Sequence, residues 1–328
     1  MLISPLVLGV SSGSLSQSEV SILNEINPYG LILFTRNIVN KAQLKKLINE
    51  IKEKVREDIH ILIDQEGGKV QRLDIPHWNR YPTYRQIGDL SVKSAEAANR
   101  LSYLIGRLIS NDLVDVGIDI NCAPCVDIRH LNTSNILVER IFSSDVNIVY
   151  QLANEMIRGF QQGSIVPILK HIPGHGRSSL DSHIELPSID DPIEELIDHD
   201  FNPFIKLNNM PIAMTAHIKF SSISDRPVTI SKKTIKMIRS IIGFGGLIIT
   251  DDINMQALAG NHESRVLDAF NAGCNLVLDC SGNNENFIKF LHKVDQIELN
   301  VINFGVNHFK SAQKDEDFQN IDNVFDEY

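Results

Sequence analysis

The sequence predicts an α/β protein, a single-domain (β/α)₈ barrel of the TIM type, and three observations support this prediction. Eight short runs rich in Val, Ile and Leu recur along the 328 residues, amphipathic stretches separate them, and no Pro-, Gly- or Ser-rich linker divides the chain. Each run is nearly continuous in apolar residues, which is typical of a parallel strand buried on both faces. Strand and helix alternating eight times is the sequence form of such a barrel. A doubly wound parallel sheet is the alternative, because the alternation alone does not require the sheet to close.

The predicted elements follow one another with little intervening sequence. The predicted strands are LVLGV (6–10), LILF (31–34), IHILID (59–64), IDINCAP (118–124), VPILKH (166–171), IAMTAH (212–217), LIITDD (247–252) and NLVLDC (275–280). The predicted helices span 41–56, 93–115, 147–162, 193–207, 232–241, 263–272 and 284–294, with a shorter one near residue 18. We expect the barrel to occupy residues 1–308 and the polar, acidic tail 309–328 to lie on the surface.

Composition and charge exclude several classes of protein. Lys and Arg number 31 against 41 Asp and Glu, a formal net charge of −10, whereas a nucleic-acid-binding protein normally presents a basic face. No segment has the ~18 consecutive apolar residues that a membrane span needs, and the N-terminus lacks the basic region of a signal peptide. The four cysteines, 122, 125, 274 and 280, indicate neither a disulfide framework nor a zinc site. We expect a cytoplasmic enzyme with a small polar ligand and no nucleic-acid or membrane partner.

Polar residues follow five of the predicted strands, at the end of the barrel where active sites lie. In chain order they are Asp64 and Arg72, Asp127 and Arg140, Lys170 and His171, His217, and Asp251 with Asp252. Charged groups at buried strand ends are costly unless they are paired or used in function. Their convergence on one rim therefore predicts an active site.

Two chemistries fit these residue types. In the first, Asp251 attacks a polyhydroxylated ligand such as a sugar, while the other charged side chains bind its hydroxyl groups. In the second, a metal-dependent hydrolase would use His171, His175, His183, His217 and Asp251 as ligands. Metal barrels of this kind usually carry a His-x-His pair after strand one, and LVLGVSSGS contains no His. The sugar chemistry is therefore favoured and the metal chemistry is kept as an alternative.

Several motifs carry a family resemblance. IDQEGGKVQRL, APCVDI, KHIPGHGRSSLDSH, MTAHI, ITDDINMQAL and NAGCNLVLDC occur in this order between about residues 30 and 280. Together they resemble the single-domain β-N-acetylglucosaminidases of glycoside hydrolase family 3. The resemblance implies a TIM-like barrel that removes terminal non-reducing β-linked N-acetylglucosamine by a retaining mechanism, without a cofactor or metal. It also implies a role in the cytoplasm on muropeptides recycled from the cell wall.

The resemblance assigns roles to eight positions. It makes Asp251 the nucleophile, His183 the general acid/base and Asp181 the partner of His183. It assigns sugar binding to Asp64, Arg72, Arg140, Lys170 and His171. A histidine suits the acid/base role because its ordinary pKa of about 6.5 lets it hold a proton in one half-reaction and lack it in the next.

The chain departs from the family pattern at two places. Arg177 stands where the family commonly has Asp after GHG, and the segment VERIF around Arg140 lacks the small residues usual there. A phosphorylase of the same family, using phosphate in place of water, is one alternative function. A sugar-binding protein without catalysis is another, although this chain retains both Asp251 and His183.

Overall fold

The computed structural model describes residues 1–182 and 184–299, together with residues 303, 306, 307 and 309. Eight parallel strands form one sheet in which each strand pairs with the next along the chain. They are β1 (Leu2–Gly9), β2 (Pro28–Leu33), β3 (His60–Ile63), β4 (Ile120–Asn121), β5 (Val166–Ile172), β6 (Ile212–Thr215), β7 (Leu247–Asp252) and β8 (Leu276–Asp279). The sheet closes because β8 pairs with β1, with Leu6 opposite Val277 and Leu8 opposite Asp279. The predicted (β/α)₈ barrel is confirmed, and the doubly wound alternative is wrong.

Helices connect the strands on the outside of the barrel. They are α1 (Gln17–Ile26), α2 (Lys41–Lys54), α3 (Tyr84–Ser91), α4 (Ala95–Val116), α5 (Val146–Gln162), α6 (Ile193–Asp198), α7 (Asn202–Lys206), α8 (Lys232–Met237), α9 (His262–Ala272) and α10 (Glu285–Ile288). A π-helical turn, Ile238–Ile242, continues α8, and 3₁₀ turns form at Thr35–Asn37, Val138–Arg140, Val228–Ile230 and Leu291–Lys293. Short strands outside the barrel are Gln65–Gly67, Val70–Gln71, Ser188–Ile189, Lys219–Phe220 and Ile297–Glu298.

Three helical regions differ from the prediction. Where one helix is predicted over 284–294, the structure has the short α10 and a separate 3₁₀ turn, Leu291–Lys293. Helix α3 was not expected, although Thr83 and Gln86 form a reciprocal capping box at its start, in which each side chain accepts from the backbone N–H of the other residue. The single helix predicted over 193–207 is two helices, and Pro203 lies in the first turn of the second. Proline lacks a backbone N–H and is tolerated only at the start of a helix, so α6 cannot continue through it.

The strands are buried on both faces, as their continuous apolar runs predict. Every residue of β2, β3, β5, β6 and β8 is buried. No helix among the described residues combines the length and the apolar character needed to cross a lipid bilayer. Apart from residue 309, the predicted tail lies outside the described residues, and the domain boundary at residue 308 stays a prediction.

Candidate active site

A buried ion-pair network lies where β3 and β5 end. The Lys170 ammonium contacts two carboxylates, Asp64 at 3.1 Å and Glu66 at 2.5 Å. Arg72 donates to the second oxygen of Asp64 at 3.2 Å. Arg140 binds Glu66 through two hydrogen bonds, Nε to Oε2 at 3.0 Å and Nη2 to Oε1 at 2.9 Å. The four predicted sugar-binding residues of this set are therefore joined, and Glu66 is the additional member that links Arg140 to Lys170.

Glu66 was missed in the sequence, although it stands in the DQEGG motif. Its side chain is 1% exposed, so its charge depends on its two cationic partners. Burial by itself raises the pKa of a carboxyl, but Arg140 and Lys170 outweigh burial and lower the pKa of Glu66. The available signal was its position two residues after Asp64, directly beyond a predicted strand end.

Asp64 remains ionised for the same reason. Burial raises the pKa of its carboxyl, but Lys170 and Arg72, with a smaller contribution from Arg140, lower that pKa to about 2. An ionised carboxylate accepts hydrogen bonds only, and it offers about four acceptor positions. Asp64 can thus receive hydroxyl groups of a ligand as well as its two cationic partners.

His171 is held in place by Asp127. The imidazole Nδ1 lies 2.8 Å from Asp127 Oδ2, and the other carboxylate oxygen accepts from the His175 backbone N–H at 2.7 Å. Burial of Asp127 is outweighed by His171 and by His175, which lower the pKa of this carboxyl to about 2. The ring therefore presents Nε2 towards Arg140, whose Nη2 lies 3.5 Å away. Asp127 thus orients a predicted sugar-binding residue.

Asp251 lies near the end of β7, and its side chain is partly exposed in a cleft. Burial raises the pKa of its carboxyl, but His171, His217 and the backbone N–H of Asp252 outweigh burial and lower that pKa. The Asp252 N–H donates to Asp251 Oδ1 at 2.7 Å. Asp251 is therefore a carboxylate with a restricted orientation, which is what a nucleophile requires.

The cleft joins the predicted catalytic and sugar-binding residues. It is a small cleft that opens to solvent, with about 300 Å³ of empty space when the open mouth is included. Its walls are formed by Ser134, Ile136, Leu137, Arg140, His171, His175, Leu180, Asp181, Ser182 and Asp251. Seven of the eight predicted site residues are thus brought together, either in the cleft or in the adjoining network. The eighth, His183, lies outside the described residues.

The loop that carries Asp181 is attached to its surroundings at several points. Backbone hydrogen bonds join Ser178 to Ser134 at 2.8 Å and Ser182 to Ala257 at 3.3 Å. A Cβ at Gly176 would lie 1.7 Å from the Ile128 carbonyl oxygen, so this glycine is required by a close backbone approach. The first half of the loop is therefore packed against the loop that follows β4.

Arg177 is turned to a carboxylate cluster. Its guanidinium pairs with Asp200 at 2.7 Å, Asp191 at 2.6 Å and Glu195 at 2.8 Å. Arg177, which departs from the family pattern, thus connects the loop to residues in and beside α6. Its positive charge is matched by carboxylates from that region.

Three histidines of the metal alternative lie among the described residues, and each makes other contacts. His217 Nε2 faces the Asp252 carbonyl oxygen at 3.0 Å, and Nδ1 lies 2.6 Å from the Thr229 hydroxyl. His171 has a guanidinium beside its free nitrogen, and His175 Nε2 contacts the Ser182 hydroxyl at 3.2 Å. A metal ligand needs an unprotonated nitrogen lone pair directed at the ion. His217, whose two nitrogens already face the Asp252 carbonyl and the Thr229 hydroxyl, therefore does not fit the ligand role that the metal alternative gives it.

Comparison with known proteins agrees with the geometry. The family described as the N-terminal domain of glycosyl hydrolase family 3 matches residues 6–307. A β-hexosaminidase of Haemophilus influenzae is 33% identical over 286 residues, which cover 85% of this chain and 80% of that protein. A β-hexosaminidase of Tolumonas auensis is 34% identical over 283 residues, which cover 84% and 83% of the two chains.

Solved structures agree as well. NagZ from Neisseria gonorrhoeae superposes with a TM-score of 0.85 at 28% identity, over 95% of this chain and 91% of that one. The same protein bound to N-trifluoroacetyl-D-glucosamine gives a TM-score of 0.86 at 28% identity, over the same shares of the two chains. The chain is therefore a glycosidase that belongs to glycosyl hydrolase family 3.

Proposed function

We propose that this protein is a retaining β-N-acetylglucosaminidase that releases terminal, non-reducing, β-linked N-acetylglucosamine. The observation that carries the proposal is an ionised Asp251 in a cleft that it shares with Asp181, Arg140 and His171. The relatives described as β-hexosaminidases, and the N. gonorrhoeae structure that holds an N-acylated glucosamine, support the choice of sugar.

The ion-pair network would bind the sugar hydroxyl groups. Asp64 keeps free acceptor positions beside Lys170 and Arg72, and these cations supply donors. Arg140 and His171 line the cleft itself. A polyhydroxylated ring needs such a mixture of donors and acceptors in fixed positions, and burial of the network limits competition from water.

The reaction would proceed through two displacements. His183 would protonate the glycosidic oxygen while Asp251 attacks the anomeric carbon, forming a covalent glycosyl-enzyme. Neutral His183 would then remove a proton from water, which hydrolyses the intermediate and returns Asp251 as a carboxylate. Asp181 would orient the imidazole and stabilise its protonated form, as the Asp of a Ser-His-Asp triad does. The roles of His183 and Asp181 rest on the family resemblance.

The proposed biological substrate is a muropeptide released from the cell wall, and the proposed location is the cytoplasm. Both follow from the family resemblance. The proposed reaction calls for no cofactor.

The test is release of p-nitrophenol from its β-N-acetylglucosaminide, measured with and without phosphate and with and without EDTA. A metal-free hydrolase turns over at the same rate in all conditions. Dependence on phosphate would identify a phosphorylase instead, although Arg177 offers phosphate little, because three carboxylates already pair with it. Abolition by EDTA would restore the metal alternative. A folded protein without turnover would be a binding protein or an enzyme for a sugar not yet tested.

The acid/base role has its own test. Substituting His183→Ala should slow hydrolysis of substrates with poor leaving groups far more than that of p-nitrophenyl glycosides, because activated leaving groups need little protonation. Equal losses on both kinds of substrate would contradict the acid role.

A further inference from the structure

Exposed apolar side chains are concentrated beside the cleft. Among the described residues, eleven large apolar side chains are exposed, and four of them are Leu131, Ile136, Leu180 and Ile184. These four lie in two short segments, 131–137 and 180–184. Single exposed apolar residues are normal on a protein surface, but such a concentration in two segments is not scatter.

The two segments are neighbours in space. The Ser134 backbone N–H donates to the Ser178 carbonyl at 2.8 Å, which joins the loop after β4 to the loop that carries Asp181. Ile136 and Leu180 both line the cleft, and they are 42% and 39% exposed. A ligand in the cleft can therefore cover apolar surface that water contacts in the free enzyme.

The cleft has a polar part and an apolar part. Arg140, His171 and Asp251 belong to the polar part, and Ile136 and Leu180 belong to the apolar part. Hydroxyl groups of the N-acetylglucosamine ring match the polar part, which continues into the buried ion-pair network. The apolar part is left for another portion of the substrate.

The proposed mechanism indicates which portion that is. Leu180 directly precedes Asp181, in the segment that the mechanism assigns to the general acid. A general acid must reach the leaving-group oxygen, so the side chains of its segment border the leaving group. We propose that Ile136 and Leu180 form an aglycone-binding wall, and that the enzyme prefers β-N-acetylglucosaminides whose aglycone presents an alkyl or aryl surface. This inference rests on the proposed function.

The test is kcat/KM for a series of methyl, butyl and hexyl β-N-acetylglucosaminides, measured as release of N-acetylglucosamine. The leaving alcohols have similar acidity, so differences along the series report on binding of the alkyl chain. Complete burial of one methylene corresponds to about a 4-fold change, and the half-exposed wall should give about 2-fold per methylene at first. The double variant Ile136→Ser, Leu180→Ser should flatten this slope.

Ile241→Ser provides the matched control, because Ile241 is 46% exposed and belongs to the π-helical turn that precedes β7, away from the cleft-lining segments. This variant should keep the wild-type slope. A flat wild-type series, or a slope that the double variant does not change, would overturn the aglycone-binding wall while leaving the proposed function intact. Absence of turnover of both the alkyl and the p-nitrophenyl glycosides by folded wild-type protein would overturn the proposed function itself.

Discussion

Substitution of Glu66 by Gln removes one negative charge from the buried network and nearly preserves the side-chain volume. The network contains three cations, Arg72, Arg140 and Lys170, and two carboxylates, Asp64 and Glu66, so its formal charge is +1. The variant raises that charge to +2. It also puts a neutral amide against Arg140 and Lys170, which are both largely buried.

The expected loss of stability is large because little solvent screens these cations. Removing one partner of a buried ion pair usually costs ~3–5 kcal/mol, and the Gln carbonyl can still accept one hydrogen bond, so we expect a loss of about 3 kcal/mol. Both cations are among the proposed sugar-binding residues, so kcat/KM should fall by about 100-fold as well. Urea titration measures the free energy of unfolding, and p-nitrophenyl glycoside turnover measures the activity.

Glu155→Gln is the matched control. Glu155 pairs with Arg158 on the surface of α5 at 2.7 Å, where the arginine is about half exposed. Exposed pairs of this kind contribute ~0–1 kcal/mol, so this variant should change neither stability nor activity appreciably. If Glu66→Gln also lost less than about 1 kcal/mol and kept its activity, the network would not organise the site.

Two further predictions concern the loop after β5. Gly176→Ala should lower the free energy of unfolding by about 2 kcal/mol, because the new methyl group collides with the Ile128 carbonyl; a loss below about 0.5 kcal/mol in urea titration would contradict the close packing. For His175, burial and the neighbouring His171 lower the pKa to about 4, while the unfolded chain binds this proton near pH ~6.5. The wild-type protein should therefore lose stability as the pH falls from about 6.5 to 4, and His175→Gln should lose less over that interval. The same pH dependence in both proteins would contradict a buried, neutral His175.

The barrel could be predicted because its strands have a recognisable sequence pattern. Strands buried on both faces require continuous apolar runs, and all eight runs became barrel strands. Helix α3 was not predicted, although the Thr83–Gln86 capping box signals its start. The break between α6 and α7 follows from Pro203. The break could have been predicted, because proline is tolerated only at the start of a helix.

The site was only partly predictable. Its charged residues stand at strand ends, which the sequence reveals, but their pairing depends on which strand ends meet across the barrel. Glu66 illustrates this limit, since its partners lie 74 residues away at Arg140 and on β5 at Lys170. Arg140 is the opposite case. Its sequence context departs from the family pattern, and yet it was predicted and it belongs to the network.

Identification of the nucleophile is the most direct test of the proposed retaining mechanism. Asp251 is an ionised carboxylate that lines the cleft, and the proposed mechanism requires a covalent bond between it and the anomeric carbon. A slow N-acetylglucosaminide substrate with an activated leaving group should label the intact protein with one sugar, and peptide mapping by mass spectrometry should find that sugar on Asp251. Asp251→Asn should acquire no label and lose several orders of magnitude in turnover while unfolding at a similar urea concentration. A label on another residue, or substantial turnover by the variant, would contradict the mechanism.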